Sequence, residues 1–210
     1  MIDENEECVV EQPTESGSVH LSAADIVDAH SNGCVLRQGE IDRFCHHGVA
    51  AGALGSPRPL LVDEVVFQEH GYFEFARDCY EEKTEQAFTM VVAGIDAVID
   101  IAAWQPKSNR IALWLNRAFA LGEEQVWFPR FDDDALRIWR TPMKWLAAGR
   151  QGLVVVRPGP AFYALGNLSC VAAEDVEHGE QLEKILTPPK PRTRILVPSK
   201  IPSITRSEAA

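Results

Sequence analysis

Ala87-Phe88-Thr89-Met90-Val91-Val92-Ala93, a short Gly94-Ile95-Asp96 link, then Ala97-Val98-Ile99-Asp100-Ile101-Ala102-Ala103-Trp104 is the stretch whose reading decides the fold. Two runs rich in Val, Ile and Met on either side of a Gly-bearing link predict a β-hairpin. Working outward, Leu60–Gln68 carries a Val65-Val66-Phe67 run and predicts a strand before it. Tyr72–Ala76 alternates aromatic and charged residues, as a half-exposed strand does, with His70-Gly71 as the tight turn between. Glu81–Glu85 is polar and reads as a loop or short helical turn. After the hairpin, Gln105–Asn109 reads as a turn and Arg110–Leu115 as a returning strand. Together these make an antiparallel meander.

Helices flank the meander. Upstream, Ser22 is placed as the N-cap of a helix over Ala23–His30 that ends at Asn32-Gly33. A second helix is predicted over Glu40–Leu54, from Ile41, Phe44, Cys45 and Val49, and Gly55-Ser56-Pro57-Arg58-Pro59 stops it. Downstream, strand Ala135–Arg140 leads to Thr141-Pro142, a hydroxyl N-cap with Pro at the first helical position, and a helix over Pro142–Ala148 closed by Gly149. Strand Leu153–Arg157 follows Gly152, and Pro158-Gly159-Pro160 breaks it. A short helix Ala161–Leu165, a strand Ser169–Ala173, an amphipathic helix Asp175–Leu186 and a last strand Thr193–Val197 complete the pattern. Strands alternating with helices predict βαβ-like packing. The expected class is α+β: N-terminal helices, an antiparallel meander and a C-terminal βα-alternating part. Residues 1–20 read as a disordered acidic head, 21–197 as one globular domain and 198–210 as a flexible tail.

The 210 residues suffice to bury about 70% of the unfolded surface without a disulfide or metal staple. The five cysteines are scattered and odd in number, with no Cys-x-x-Cys, so free thiols are expected. No apolar run approaches the roughly 20 residues of a membrane span. The acidic, polar opening is unlike a secretory signal, and a reducing cytoplasm is the expected compartment. The net charge of −11 is uneven. Residues 1–103 hold 20 acids against 5 bases, whereas 104–157 hold 9 bases against 5 acids.

All five tryptophans (Trp104, Trp114, Trp127, Trp139, Trp145) lie in that basic stretch, among Lys107, Arg110, Arg117, Arg130, Arg137, Arg140, Lys144, Arg150 and Arg157. Indoles interleaved with cations suit single-stranded nucleic acid, by stacking and phosphate neutralisation. Arg137, Trp139, Arg140, Lys144 and Trp145 are the sharpest subset for contact with nucleic acid or another protein. The favoured alternative packs the indoles inside and leaves the guanidinium groups at the rim.

Other constellations are thinner. His30, Cys34, Cys45, His46 and His47 are metal-ligating types, but their spacing follows no zinc pattern. The expectation is a packed Cys45 beside solvated histidines, with no cofactor. Glu69 and the Asp132-Asp133-Asp134 run, read as Glu69, Asp132 and Asp134 around Mg²⁺, superficially resemble a toprim site for phosphoryl chemistry. No glycine-led helix follows Glu69, and an Asp run is ordinarily a solvated turn. Asp96 or Asp100 with Gln105-Pro106-Lys107 resembles a restriction-nuclease signature, broken by Pro106. No nucleophile elbow, dinucleotide fingerprint or phosphate loop is present.

The runs Asp100–Pro106, Arg140–Leu146 and Gly152–Val156 resemble uncharacterised proteins of bacterial prophages and mobile elements. That resemblance implies a mobile-element setting, near replication or packaging genes, and transfers no activity. The expectation is a non-enzymatic accessory or binding protein. The alternative is a metal-dependent phosphodiester enzyme.

Overall fold

The computed structural model describes residues 21–80, 83–128 and 135–187. The hairpin forms as β4 (Glu85–Ala93) and β5 (Val98–Gln105), antiparallel from Phe88 opposite Trp104 to Ala93 opposite Val98, with a register shift after Val92. β2 (Leu61–Phe67) pairs on the outer side of β4, and β6 (Arg110–Leu113) on that of β5. The free side of β2 takes two short strands: β1 (Cys34–Val35) at its start and β3 (Phe73–Phe75) at its end. Tyr72, just before β3, bridges to Leu113 on the opposite edge strand, β6. The meander therefore curls until its two edges meet, a closure that the normal twist of a sheet favours.

Both faces of this curled sheet are covered, which is why its strands read as near-continuous apolar runs rather than alternating ones. On one face Val65, Phe73, Phe75, Ile101 and Ala103 pack with Ile26 of α1 (Ala23–Ser31). On the other, Val62, Phe88, Met90, Trp104 and Leu113 meet Phe44 and the apolar side of a second sheet. Helix α1 starts as expected, with Ser22 and Asp25 capping each other's backbone N–H. The single helix expected over Glu40–Leu54 is instead two, α2 (Gln38–His46) and α3 (Ala51–Gly55). The break is at Gly48, at φ +82°, and it turns the chain so that Val49 is buried.

The second sheet runs β10 (Val171–Ala172), β8 (Leu136–Trp139), β9 (Leu153–Val155), β7 (Ala120–Leu121). β8 is parallel to both β9 and β10, the expected βα alternation, while β7 is antiparallel to β9. Helices α4 (Pro142–Ala147), α5 (Pro158–Leu165) and α6 (Val176–Leu186) alternate with the parallel strands. One expectation is corrected, and one strand is additional. Pro158-Gly159-Pro160 does not merely break a strand but forms the first turn of α5, where absent N–H groups cost nothing. β7 was not foreseen, because two residues carry no periodicity and only pairing with β9 defines them. The class is α+β, as expected. Among the described residues no helix is long and apolar enough to cross a membrane. The acidic head, the strand Thr193–Val197 and the tail lie outside the described residues.

Two buried polar knots hold the elements together. Asp100 is 0% exposed, and its carboxylate accepts N–H groups of Ile101 and Leu115 on one oxygen and of Arg117 and Ala118 on the other. It thereby ties the chain leaving β6 to β5. Asp63 accepts from Arg77 Nη1 at 2.9 Å and Thr89 Oγ1 at 3.1 Å. Arg77 also donates to the Ala29 carbonyl at 2.7 Å, and buried His30 donates Nε2–H to the Thr89 carbonyl at 3.2 Å. Helix α1 is clamped to the sheet by these bonds.

Burial pulls the His30 imidazole below its ordinary value of 6.5, the Thr89 carbonyl and the Asp63 carboxylate opposing and Arg58 and Arg150 adding to the fall. The unfolded chain then takes up a proton near pH 6.5 that the folded chain refuses. Stability from this site is intact above that pH and is lost as pH falls below it. Burial raises the Asp63 carboxyl, which acts in the opposite direction at lower pH. We expect the melting temperature to drop between pH 7.5 and 5.5, and His30→Gln to shrink that drop. An equal drop in the variant would remove His30 as its source.

Candidate functional site

The Trp-bearing basic segment is divided by the fold. Trp145 in α4 is 4% exposed and donates Nε1–H to the Gly152 carbonyl at 2.9 Å, and Trp104 is 2% exposed. Trp139 is half-buried, donates to the Gln151 carbonyl at 2.7 Å and carries Arg137 on its ring at 5.3 Å. Arg140 and Lys144 are engaged at the start of α6: Arg140 with Asp175 at 2.8 Å and Glu177 at 3.8 Å, Lys144 with Glu174. Of the three bases in the subset, only Arg137 makes no ion pair among the described residues. Trp127 is the outlier among the indoles, at 53% exposed.

The metal-ligating types are not gathered. His30 is buried against Thr89, whereas Cys34 is exposed on β1 and Cys45 and His46 are exposed on α2. The expected packed Cys45 beside solvated histidines is corrected, because α2 turns Phe44 and not Cys45 to the core and α1 buries His30. Among the described residues no three His, Cys, Asp or Glu side chains could hold one ion. Glu69 is exposed in a 3₁₀ turn after β2, and Asp132, Asp133 and Asp134 lie outside the described residues. The Asp100 carboxylate is spent on backbone amides. Asp96 precedes β5 and Lys107 follows it, so they sit at opposite ends of that strand.

What the structure does assemble is a cleft of about 520 Å³ where the two sheets meet. One wall is β4, through Val91 and Ala93. The other is the 3₁₀ turn Glu123–Val126, with α4 and the Gly149-Arg150-Gln151 loop that leads to β9. Close backbone approach makes this possible. A Cβ on Gly122, at φ +73°, would stand 2.3 Å from the Gly152 carbonyl oxygen. Gln125 locks the two loops, donating to the Arg150 carbonyl and accepting from Gly152 N–H, each at 2.7 Å.

Arg150 is the unusual residue of the cleft. It is 9% exposed, sits at φ +63°, and lies over the Trp145 ring at 5.7 Å. Nε donates to the Ala53 carbonyl at 2.8 Å, but buried Nη2 has no hydrogen-bond partner. No ion pair to Arg150 exists among the described residues. Glu124 lines the same cleft, and burial pushes its carboxyl up while Arg150 holds it back. Half-buried Arg58 adds a second cation, likewise without an ion pair among the described residues. A buried guanidinium is costly unless paired, and its planar fork suits a carboxylate or phosphate. Among the described residues the lining carries no Ser, Thr, Cys or His, and its two cations are of the kind that suits an anion.

Arg150 stood in the sequence among nine bases, and nothing local set it apart. Glu124 and Gln125 carry no signal in the sequence, because a single 3₁₀ turn has no periodicity. The chain matches no protein-family model, no curated protein and no solved structure.

Proposed function

We propose that this is a non-enzymatic binding protein that holds a small anionic ligand in the cleft between its two sheets. The observation that carries the reading is the Arg150 guanidinium, nine-tenths buried on the wall of a ligand-sized cleft, with one nitrogen unpartnered and no carboxylate at ion-pair distance among the described residues, Glu124 acting on it only from further off. The Arg140–Lys144 cluster is a weaker candidate, since three acids of its own already neutralise it. The likeness of three sequence runs to mobile-element proteins adds a setting to this proposal: an accessory role beside such an element.

The test is thermal unfolding with inorganic phosphate, sulfate and benzoate. A millimolar site exposed to about 10 mM ligand is stabilised by about 1.4 kcal/mol, a shift of a few degrees. At least one anion is expected to give a saturable rise. If all three leave the melting temperature unchanged at matched ionic strength, the cleft is not an anion site.

A further inference from the structure

We infer that the occupant of the cleft is a phosphate monoester carrying a planar, apolar group, rather than a simple carboxylate or a free inorganic anion. This rests on the reading of the cleft as an anion site. Three features of the lining support it.

First, two guanidinium groups, Arg58 and Arg150, face the cleft without ion pairs among the described residues. A phosphate monoester carries about −1.5 to −2 at neutral pH and three acceptor oxygens, against a single charge on a carboxylate. It can therefore answer both cations at once. Second, Glu124 does not oppose a dianion as an exposed carboxylate would. Burial raises its carboxyl from the ordinary value while Arg150 opposes the rise, so its negative charge in the cleft is held less firmly and is partly offset by the neighbouring guanidinium. Third, the cleft is larger than a bare phosphate needs, and beside the polar Gln125 and Gln151 its lining includes the apolar side chains Pro57, Val91 and Phe128. Phe128 among them is 61% exposed. An exposed ring beside two cations is a stacking surface for a planar group whose phosphate lies deeper. The Trp145 ring cannot serve in that way, because Arg150 already covers it.

The experiment is calorimetric titration of the full chain with phenyl phosphate, inorganic phosphate and benzoate, in wild type, Arg58→Gln and Phe128→Ala. Both substitutions fall on partly or largely exposed side chains, so the fold is kept. Phenyl phosphate is expected to bind at least about tenfold more tightly than either of the others. Arg58→Gln is expected to weaken phenyl phosphate more than benzoate, and Phe128→Ala to weaken phenyl phosphate while leaving inorganic phosphate unchanged. Benzoate binding as tightly as phenyl phosphate would overturn the ligand class while leaving the anion cleft standing. So would inorganic phosphate binding as tightly as its phenyl ester. No heat of binding from any of the three would remove both the class and the cleft.

Discussion

Asp100→Ala is expected to destabilise the fold by more than about 3 kcal/mol, and to leave much of the protein unfolded or insoluble. The carboxylate accepts four backbone N–H groups, of which those of Ile101 and Ala118 are fully buried. A buried donor left without a partner costs about 1–3 kcal/mol, and a typical domain has only about 5–15 kcal/mol to lose. The loss is not one of volume, and a second variant shows this. Asp100→Asn keeps the shape but turns one acceptor oxygen into an NH₂ that faces two N–H donors. It is expected to cost about 2 kcal/mol or more. Urea unfolding followed by tryptophan fluorescence reads both. Two variants within about 1 kcal/mol of wild type would show that the chain after β6 does not depend on this carboxylate.

Arg150→Met is expected to separate binding from stability. Two charge-assisted hydrogen bonds at about 1.5 kcal/mol each are lost to an anionic ligand, so affinity falls by about a hundredfold. Stability should move by less than about 1 kcal/mol, or rise. The substitution removes a buried cation with an unpartnered nitrogen and retains an unbranched chain over Trp145, giving up the single bond to Ala53. A residue retained for the fold would behave in the opposite way. Chemical denaturation without ligand, beside titration of phenyl phosphate, makes the comparison. A stability loss above about 3 kcal/mol would assign Arg150 to the scaffold and withdraw it from the site.

The expected elements and the observed ones part company at instructive places. Ser22, Thr141 and Asp175 each begin a helix with a side-chain oxygen on a backbone N–H, and such caps are legible because the interaction spans three residues. The β4–β5 hairpin is legible for the same reason, its partners being joined by a short link. Gly48 was harder, since an apolar stripe continued across it and only its positive φ and the burial of Val49 end α2. The Trp/Arg segment gave two readings of one pattern, a core with a basic rim or a basic face. Burial puts Trp104 and Trp145 inside, while Arg140 and Lys144 meet acids more than 29 residues further along the chain.

By itself, then, the order of residues determined the local grammar of this protein: where helices begin, which runs are strands, and that helices, a meander and βα units follow one another. Those properties depend on neighbours within a few positions. Closure of the meander through Tyr72 and Leu113, the four-fold use of Asp100 and the meeting of Arg58, Glu124 and Arg150 around one cleft were decided only in three dimensions. The reason is physical. Whether a charge is paired, buried or left facing a cavity depends on groups remote in the chain, and no short window of sequence contains them.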